Sequence, residues 1–205
     1  MKKEMPAWLK LALIALAAGL LLGFTNELTA PAIAAQTELQ AQEARRTVLP
    51  QAESFEELPV PTGFDALYVG QSGGAAVGYV AQVTGKGYGG EIQVIMGVDA
   101  TGVITGISVG GPNFSETMGL GAKVRDEAFT SQFEGLKGPV TLGGQAAAAS
   151  GDEQNSATSS VTAALPDASE AGGSVDAVTS ATISSRAVIN AVNTIYEYVQ
   201  TLLAN

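Results

Sequence analysis

The sequence predicts an α+β protein: a mostly antiparallel sheet with flanking helices, preceded by a single N-terminal transmembrane helix. Three observations lead there. Leu11 to Phe24 is an uninterrupted run of 14 apolar or Gly residues behind Lys2, Lys3 and Lys10. In the middle, "ALYVG", "AAVGYVAQVT", "EIQVIMGVD" and "GVITGISVGG" alternate or run apolar with β-branched residues, and Gly- and Asp-bearing turns separate them. Near the C-terminus, Val188, Val192, Ile195, Val199 and Leu202 recur at steps of 4, 3, 4 and 3, one apolar stripe of a helix.

Taken in order, "MKKEMPAWLKLALIALAAGLLLGF" is a basic lead and an apolar run. Two main readings stay open, with a buried soluble helix as a third. One is a retained anchor from about Ala7 to Thr25, with Trp8 at the interface; the other is a signal peptide cleaved near Ala34 in "PAIAAQ". Both keep the lysines inside and put the body outside the cytoplasmic membrane. Residues 26 to about 48 are rich in Ala, Gln and Glu and read as a helical stalk interrupted near Pro31. "LPQAESFEELPVPTG" reads as a linker, so the expected organisation is lead and anchor 1–25, stalk and linker 26–62, and domain 63–205.

Within the domain the strand runs suggest a meander, with "DATG" (Asp99 to Gly102) as a hairpin turn. "GKGYGG" (Gly85 to Gly90) matches G-x-G-x-x-G, but a dinucleotide fingerprint requires a helix next, and "EIQVIMGV" is a strand. A hairpin loop is the better reading, with Tyr88 free to contact a ligand. "SETMGLGAKV" is a Gly-punctuated loop, "DEAFTSQFEGL" a short amphipathic helix and "GPVTL" a strand. Gly143 to Ser174 has no aromatic, Lys or Arg and only Val161 and Leu165 as large aliphatics. It reads as a flexible low-complexity insertion, because it cannot bury enough apolar surface to offset its ordering entropy. The final helix is expected to start near Ser184.

Composition excludes several chemistries. There is no Cys and no His, which removes thiolate and imidazole catalysis and leaves only oxygen ligands for a metal. From Thr25 onward, 7 Lys/Arg stand against 19 Asp/Glu, a charge of 7 − 19 = −12. Such a body repels phosphate backbones, so no nucleic acid is expected as partner.

The stretch "DAVTSATISS" places Thr179, Ser180, Thr182, Ser184 and Ser185 against the start of the last helix. One hydroxyl suffices to cap a helix. Several, beside unpaired amides and the positive end of the helix dipole, also suit a phosphate group.

Asp176-x-x-Thr179-x-Ala181-Thr182 resembles the flavinylation motif D-x-x-[S/T]-G-A-[T/S] of FMN-binding domains. "GYGGEIQVIMGVDATGVITGISV" and "ETMGLGAK" are similar to two further segments of that family, in the same order. The whole pattern is most similar to the G subunits of Rnf-type electron-transport complexes. Ser180 stands where the family usually has Gly, and Met118 where it has Pro.

The resemblance implies a membrane-anchored electron-transfer subunit of an ion-translocating ferredoxin:NAD⁺ oxidoreductase. FMN would be joined by a phosphoester to Thr182 by a flavin transferase. Thr179, Ser180, Ala181 and Ser184 would surround the phosphate, and Asp176 would belong to the transferase recognition motif. Glu116, Thr117, Met118, Gly119, Leu120 and Gly121 would line the ring, with Tyr88 a further contact. Partners would be other membrane subunits of the complex. Two alternatives stay open: an FMN module of another extracytoplasmic reductase, and a non-catalytic anchored binding module.

Overall fold

Apolar alternation and the helical stripe set the architecture of the computed structural model, which describes residues 6–143 and 172–204. The chain divides into two compact units, Met1–Gln42 and Glu43–Asn205.

The first unit is helical. Helix α1 spans Ala7–Val48 and is the one helix among the described residues long and apolar enough to cross a membrane; its apolar window is unburied. The expected interruption at Pro31 does not occur: Pro31 lies inside α1. A proline removes one backbone hydrogen bond, and the Ala-, Glu- and Gln-rich flanks are strong enough helix formers to carry the helix past it.

The second unit is built on a five-stranded antiparallel sheet whose sequence neighbours pair: β1 Ser54–Glu57, β2 Ala66–Ser72, β3 Ala75–Lys86, β4 Glu91–Asp99 and β5 Ile104–Gly110. β1 corrects the linker reading. Its four residues pair with Tyr68 to Gln71 of β2, although prolines at 59 and 61 closely follow it. An edge strand tolerates such neighbours, since one of its sides needs no partner.

Alternation puts the two faces of the sheet into two cores. On one face Ala81, Val94, Met96, Val98 and Ile104 pack against helix α3, Thr182–Leu203. The predicted stripe is the contact: Val188, Val192, Ile195 and Val199 are fully buried. Each such side chain stabilises by about 1.5–3 kcal/mol relative to exposure. On the other face Val80 and Ile95 meet Val48, Leu49 and Ala52, where the chain leaves α1. That approach is close. A Cβ at Gly97 would collide with the carbonyl oxygen of Val48, which also accepts from Thr105 Oγ1, and one at Gly70 would lie 2.5 Å from Leu49 Cδ2. The Arg45 guanidinium lies 4.4 Å from the Tyr68 ring centre.

Between the sheet and α3 the chain forms a 3-10 turn Gly121–Arg125, a single helical turn α2 Glu127–Thr130, and a second 3-10 turn Ser131–Phe133. The expected amphipathic helix is therefore short, and it buries Phe129 and Phe133. The expected strand "GPVTL" reduces to β6 Thr141–Leu142, which pairs in parallel with β7 Ser174–Val175. Two amides reinforce this region. Asn193 brackets Val140, accepting from its N–H at 2.7 Å and donating to its carbonyl at 2.9 Å. Gln132 Oε1 accepts from the Asp176 N–H at 2.8 Å.

The insertion thus joins two paired strands. Its expected flexibility concerns residues 144–171, which lie outside the described residues. Its C-terminal edge corrects the expectation, since Gly173 O accepts from Thr141 N at 2.9 Å and Ser174 is in β7.

Candidate functional site

Three segments meet at the end of the sheet where β3 turns into β4. The first is the connection Gly87 to Gly90, closed by Gly87 N donating to Gly90 O at 2.8 Å. It is a hairpin, as the strand after "GKGYGG" requires. The second is the loop after β5. It is tied to the hairpin by Ser115 Oγ donating to Gly89 O at 2.9 Å and by Asn113 Nδ2 donating to Glu91 Oε2 at 2.9 Å. The third is the start of α3, which begins at Thr182 rather than Ser184.

These segments enclose a cleft of 410 Å³ lined by Tyr88, Glu116, Thr117, Leu120, Gly121 and the stretch Ser180 to Ser184. Of the residues singled out in sequence, Tyr88, Glu116, Thr117, Leu120, Gly121, Ser180, Ala181, Thr182 and Ser184 are brought together there. Asp176, Thr179, Met118 and Gly119 are not on its lining. Met118 is 87% exposed, and Gly119 takes a φ of +80° with open space around it.

The hydroxyls divide their work. Ser184 is buried, and its Oγ donates to Glu116 Oε2 at 2.9 Å. Ser185 is buried too, accepting from Val178 N at 3.0 Å and donating to Ala181 O at 3.0 Å. None of them caps α3: its N-cap is Ala181, with no side-chain cap. The amides of Thr182, Ile183 and Ser184 therefore have no acceptor within the helix. Thr182, half-buried on the cleft wall, has no side-chain hydrogen bond among the described residues.

Just before it, Ser180 is the one non-Gly residue with positive φ among the described residues, at +64°. An L-residue there costs roughly 1–2 kcal/mol, which gives a physical reason for the Gly of the motif that Asp176 to Thr182 resembles.

Sequence reasoning missed Ile183, which is 57% exposed on the cleft lining. Its signal was available, since it is a large aliphatic off the stripe that α3 buries. The support given by Gly87, Gly89 and Ser115 carried no such signal.

The comparisons with known proteins bear on this cleft. The family model of the FMN-binding domain matches residues 87–197, from the hairpin through most of α3. The chain belongs to the FMN-binding domain family. Among its relatives, the G subunit of the Na(+)-translocating ferredoxin:NAD(+) oxidoreductase complex of Acetobacterium woodii is 32% identical, covering 94% of this chain and 89% of its own. The G subunit of the ion-translocating oxidoreductase complex of Methanosarcina acetivorans is 36% identical, covering 78% and 75%. Its counterpart from Aliivibrio fischeri is 32% identical, covering 90% and 84%. Among solved structures, the C subunit of the Na(+)-translocating NADH-quinone reductase from Parabacteroides distasonis aligns with a TM-score of 0.48 at 22% identity, over 68% of this chain and 62% of that one.

Such relatives are subunits of multi-subunit complexes. With the apolar α1, they mark this FMN-binding chain as a single-pass membrane protein.

The residues present fit FMN. Tyr88, Leu120 and Ile183 offer exposed apolar surface to a flat ring around the cleft. A Cβ at Gly121 would collide with the Glu116 carboxylate beside that space. The uncapped start of α3 suits the phosphate end.

Proposed function

We propose that this chain is the electron-transfer subunit of an Rnf-type ion-translocating ferredoxin:NAD⁺ oxidoreductase complex, with FMN held covalently by Thr182. The observation that carries the reading is the Thr182 hydroxyl. It has no hydrogen-bond partner among the described residues, it stands at an uncapped helix start, and it lies on the wall of an apolar cleft.

In this reading Thr182 Oγ1 forms a P–O bond to an activated FMN phosphoryl donor, a phosphoric anhydride. The donor's leaving group departs with the electron pair of the broken P–O bond, and the hydroxyl proton passes to the flavin transferase. The free amides of α3 then hold the phosphate. Asp176 serves the transferase: Gln132 grips its backbone while its side chain stays exposed.

Bound FMN supplies one-electron transfer between redox partners, and the protein holds the ring and excludes water. Tyr88, Leu120 and Ile183 do so, with Thr117 at the rim. Partners are the other membrane subunits of the complex. In this reading the domain lies outside the cytoplasmic membrane, because Lys2, Lys3 and Lys10 precede the apolar span and stay on the cytoplasmic side.

The test is the chain coexpressed with a flavin transferase and run on a denaturing gel. The wild-type band fluoresces as flavin, and Thr182→Ala does not. An equally bright mutant band contradicts the assignment. Copurification with integral membrane subunits separates this role from that of an FMN module serving another reductase.

A further inference from the structure

The most connected side chain of the cleft points away from solvent. Glu116 is only 7% exposed. Its Oε1 accepts from the Gly89 N–H at 3.0 Å, and its Oε2 accepts from Ser184 Oγ at 2.9 Å. One carboxylate therefore joins the β3–β4 hairpin, the loop after β5 and the first turn of α3.

The hairpin glycines are shaped to this side chain and its neighbour. A Cβ at Gly87 would collide with Glu116 Oε1, and one at Gly90 with Ser115 Oγ. A Cβ at Gly89 would lie 2.6 Å from Ser115 O. On the opposite side, a Cβ at Gly121 would collide with Glu116 Oε2 and lie 3.1 Å from Ser184 Oγ. Gly87, Gly89 and Gly90 thus form a bed for Ser115 and Glu116, whereas Gly85, the first glycine of the G-x-G-x-x-G pattern, lies in β3 and faces the Ala187 carbonyl.

We propose that Glu116 is a positioning residue. Through Gly89 it sets the hairpin that carries Tyr88, and through Ser184 it sets the helix turn that carries Thr182, so that the apolar wall and the acceptor hydroxyl face one cleft. It braces the site from beneath and does not contact the reacting atoms. The proposal rests on the FMN reading and adds to it the residue that holds ring wall and acceptor in register. A displacement of about 1 Å at an acceptor costs on the order of a hundredfold in rate, so a brace of this kind controls loading.

The test uses the full chain as Glu116→Ala, Glu116→Gln, Ser184→Ala and the Glu116→Ala/Ser184→Ala double variant. Flavin incorporation by a flavin transferase is followed by intact mass over time. Amide hydrogen exchange is measured on the flavin-free proteins. We expect Glu116→Ala and Ser184→Ala each to slow incorporation by about tenfold or more. Glu116→Gln, whose amide oxygen can still accept one of the two bonds, should stay within about threefold of wild type. The double variant should be no slower than Glu116→Ala alone, because both residues act through one chain of contacts.

Exchange at the Gly89 amide should rise in Glu116→Ala while that at Thr101 and Val103, at the other end of the sheet, stays unchanged. Wild-type loading in Glu116→Ala overturns the proposal, as does a double variant whose loss is the product of the single losses. If Glu116→Ala does not fold, Ser184→Ala and Glu116→Gln carry the same test. A wild type that takes no flavin overturns the FMN reading instead, and the Gly89 exchange still decides whether the brace exists.

Discussion

The two hairpin connections at opposite ends of the sheet look alike in sequence and differ in what holds them. The β4–β5 turn is largely self-contained, although Ala100 N donates to Val77 O of the neighbouring β3 at 3.1 Å. Asp99 Oδ1 accepts from Thr101 N at 2.8 Å, Thr101 Oγ1 at 2.7 Å and Val103 N at 3.0 Å, all within four residues. Burial opposes its charge, yet the Val103 and Thr101 hydrogen bonds, helped by Lys137, hold its carboxyl below the usual range.

The β3–β4 turn borrows its support. Gly89 donates to Glu116, 27 residues on, and Glu116 accepts from Ser184, 68 residues further. A turn that satisfies itself can sit anywhere in a fold. One held by distant segments brings those segments together, and it is this one that opens onto the cleft.

The comparison breaks most sharply under glycine substitution. Gly121→Val drives a side chain into Glu116 and Ser184. It should destabilise by about 1–3 kcal/mol and also impair flavin loading per folded molecule. Gly102→Val, in the self-contained turn, meets a φ of +83° and the Gln200 amide 2.8 Å away. It should destabilise by a similar 1–3 kcal/mol or so while leaving loading and the visible flavin spectrum of folded protein unchanged. Thermal melts paired with intact mass check both. Equal loading losses in the two variants would erase the distinction between the turns.

Ser180→Gly sharpens it more gently. Relieving the φ of +64° should stabilise the protein by roughly 1 kcal/mol, read as a raised melting temperature with loading retained.

Asp99→Asn gives the smallest effect, and its sign follows from the lowered folded pKa. The stabilisation from ionised Asp99 is fully present above the unfolded value of about 3.9 and is lost as pH falls through the lower folded value. Wild type and variant should therefore differ in melting temperature near neutrality and converge in strong acid.

What was legible in the sequence follows the same division between local and distant. The α3 stripe, the alternating strands and the "DATG" turn are patterns within one element, and all three are in the fold. The place of Thr182 beside the cleft was legible because its neighbours form a contiguous motif. β1 was hidden by its short length and nearby prolines, and Pro31 overstated a break that its helix-forming flanks override. Ser184 read as a helix cap or phosphate contact, but its bond goes to Glu116. Glu116 itself read as a ring contact. Its bracing role depends on partners that no local pattern connects.

The central claim is that the cleft at the supported turn carries FMN on Thr182. The most direct measurement is tandem mass spectrometry of peptides from the chain purified after coexpression with a flavin transferase. The account predicts one flavin phosphate, on the peptide spanning Thr179 to Arg186, with fragment ions assigning it to Thr182. Flavin mapped to Thr179, Ser180 or a hydroxyl outside this stretch would contradict it, as would protein that carries none.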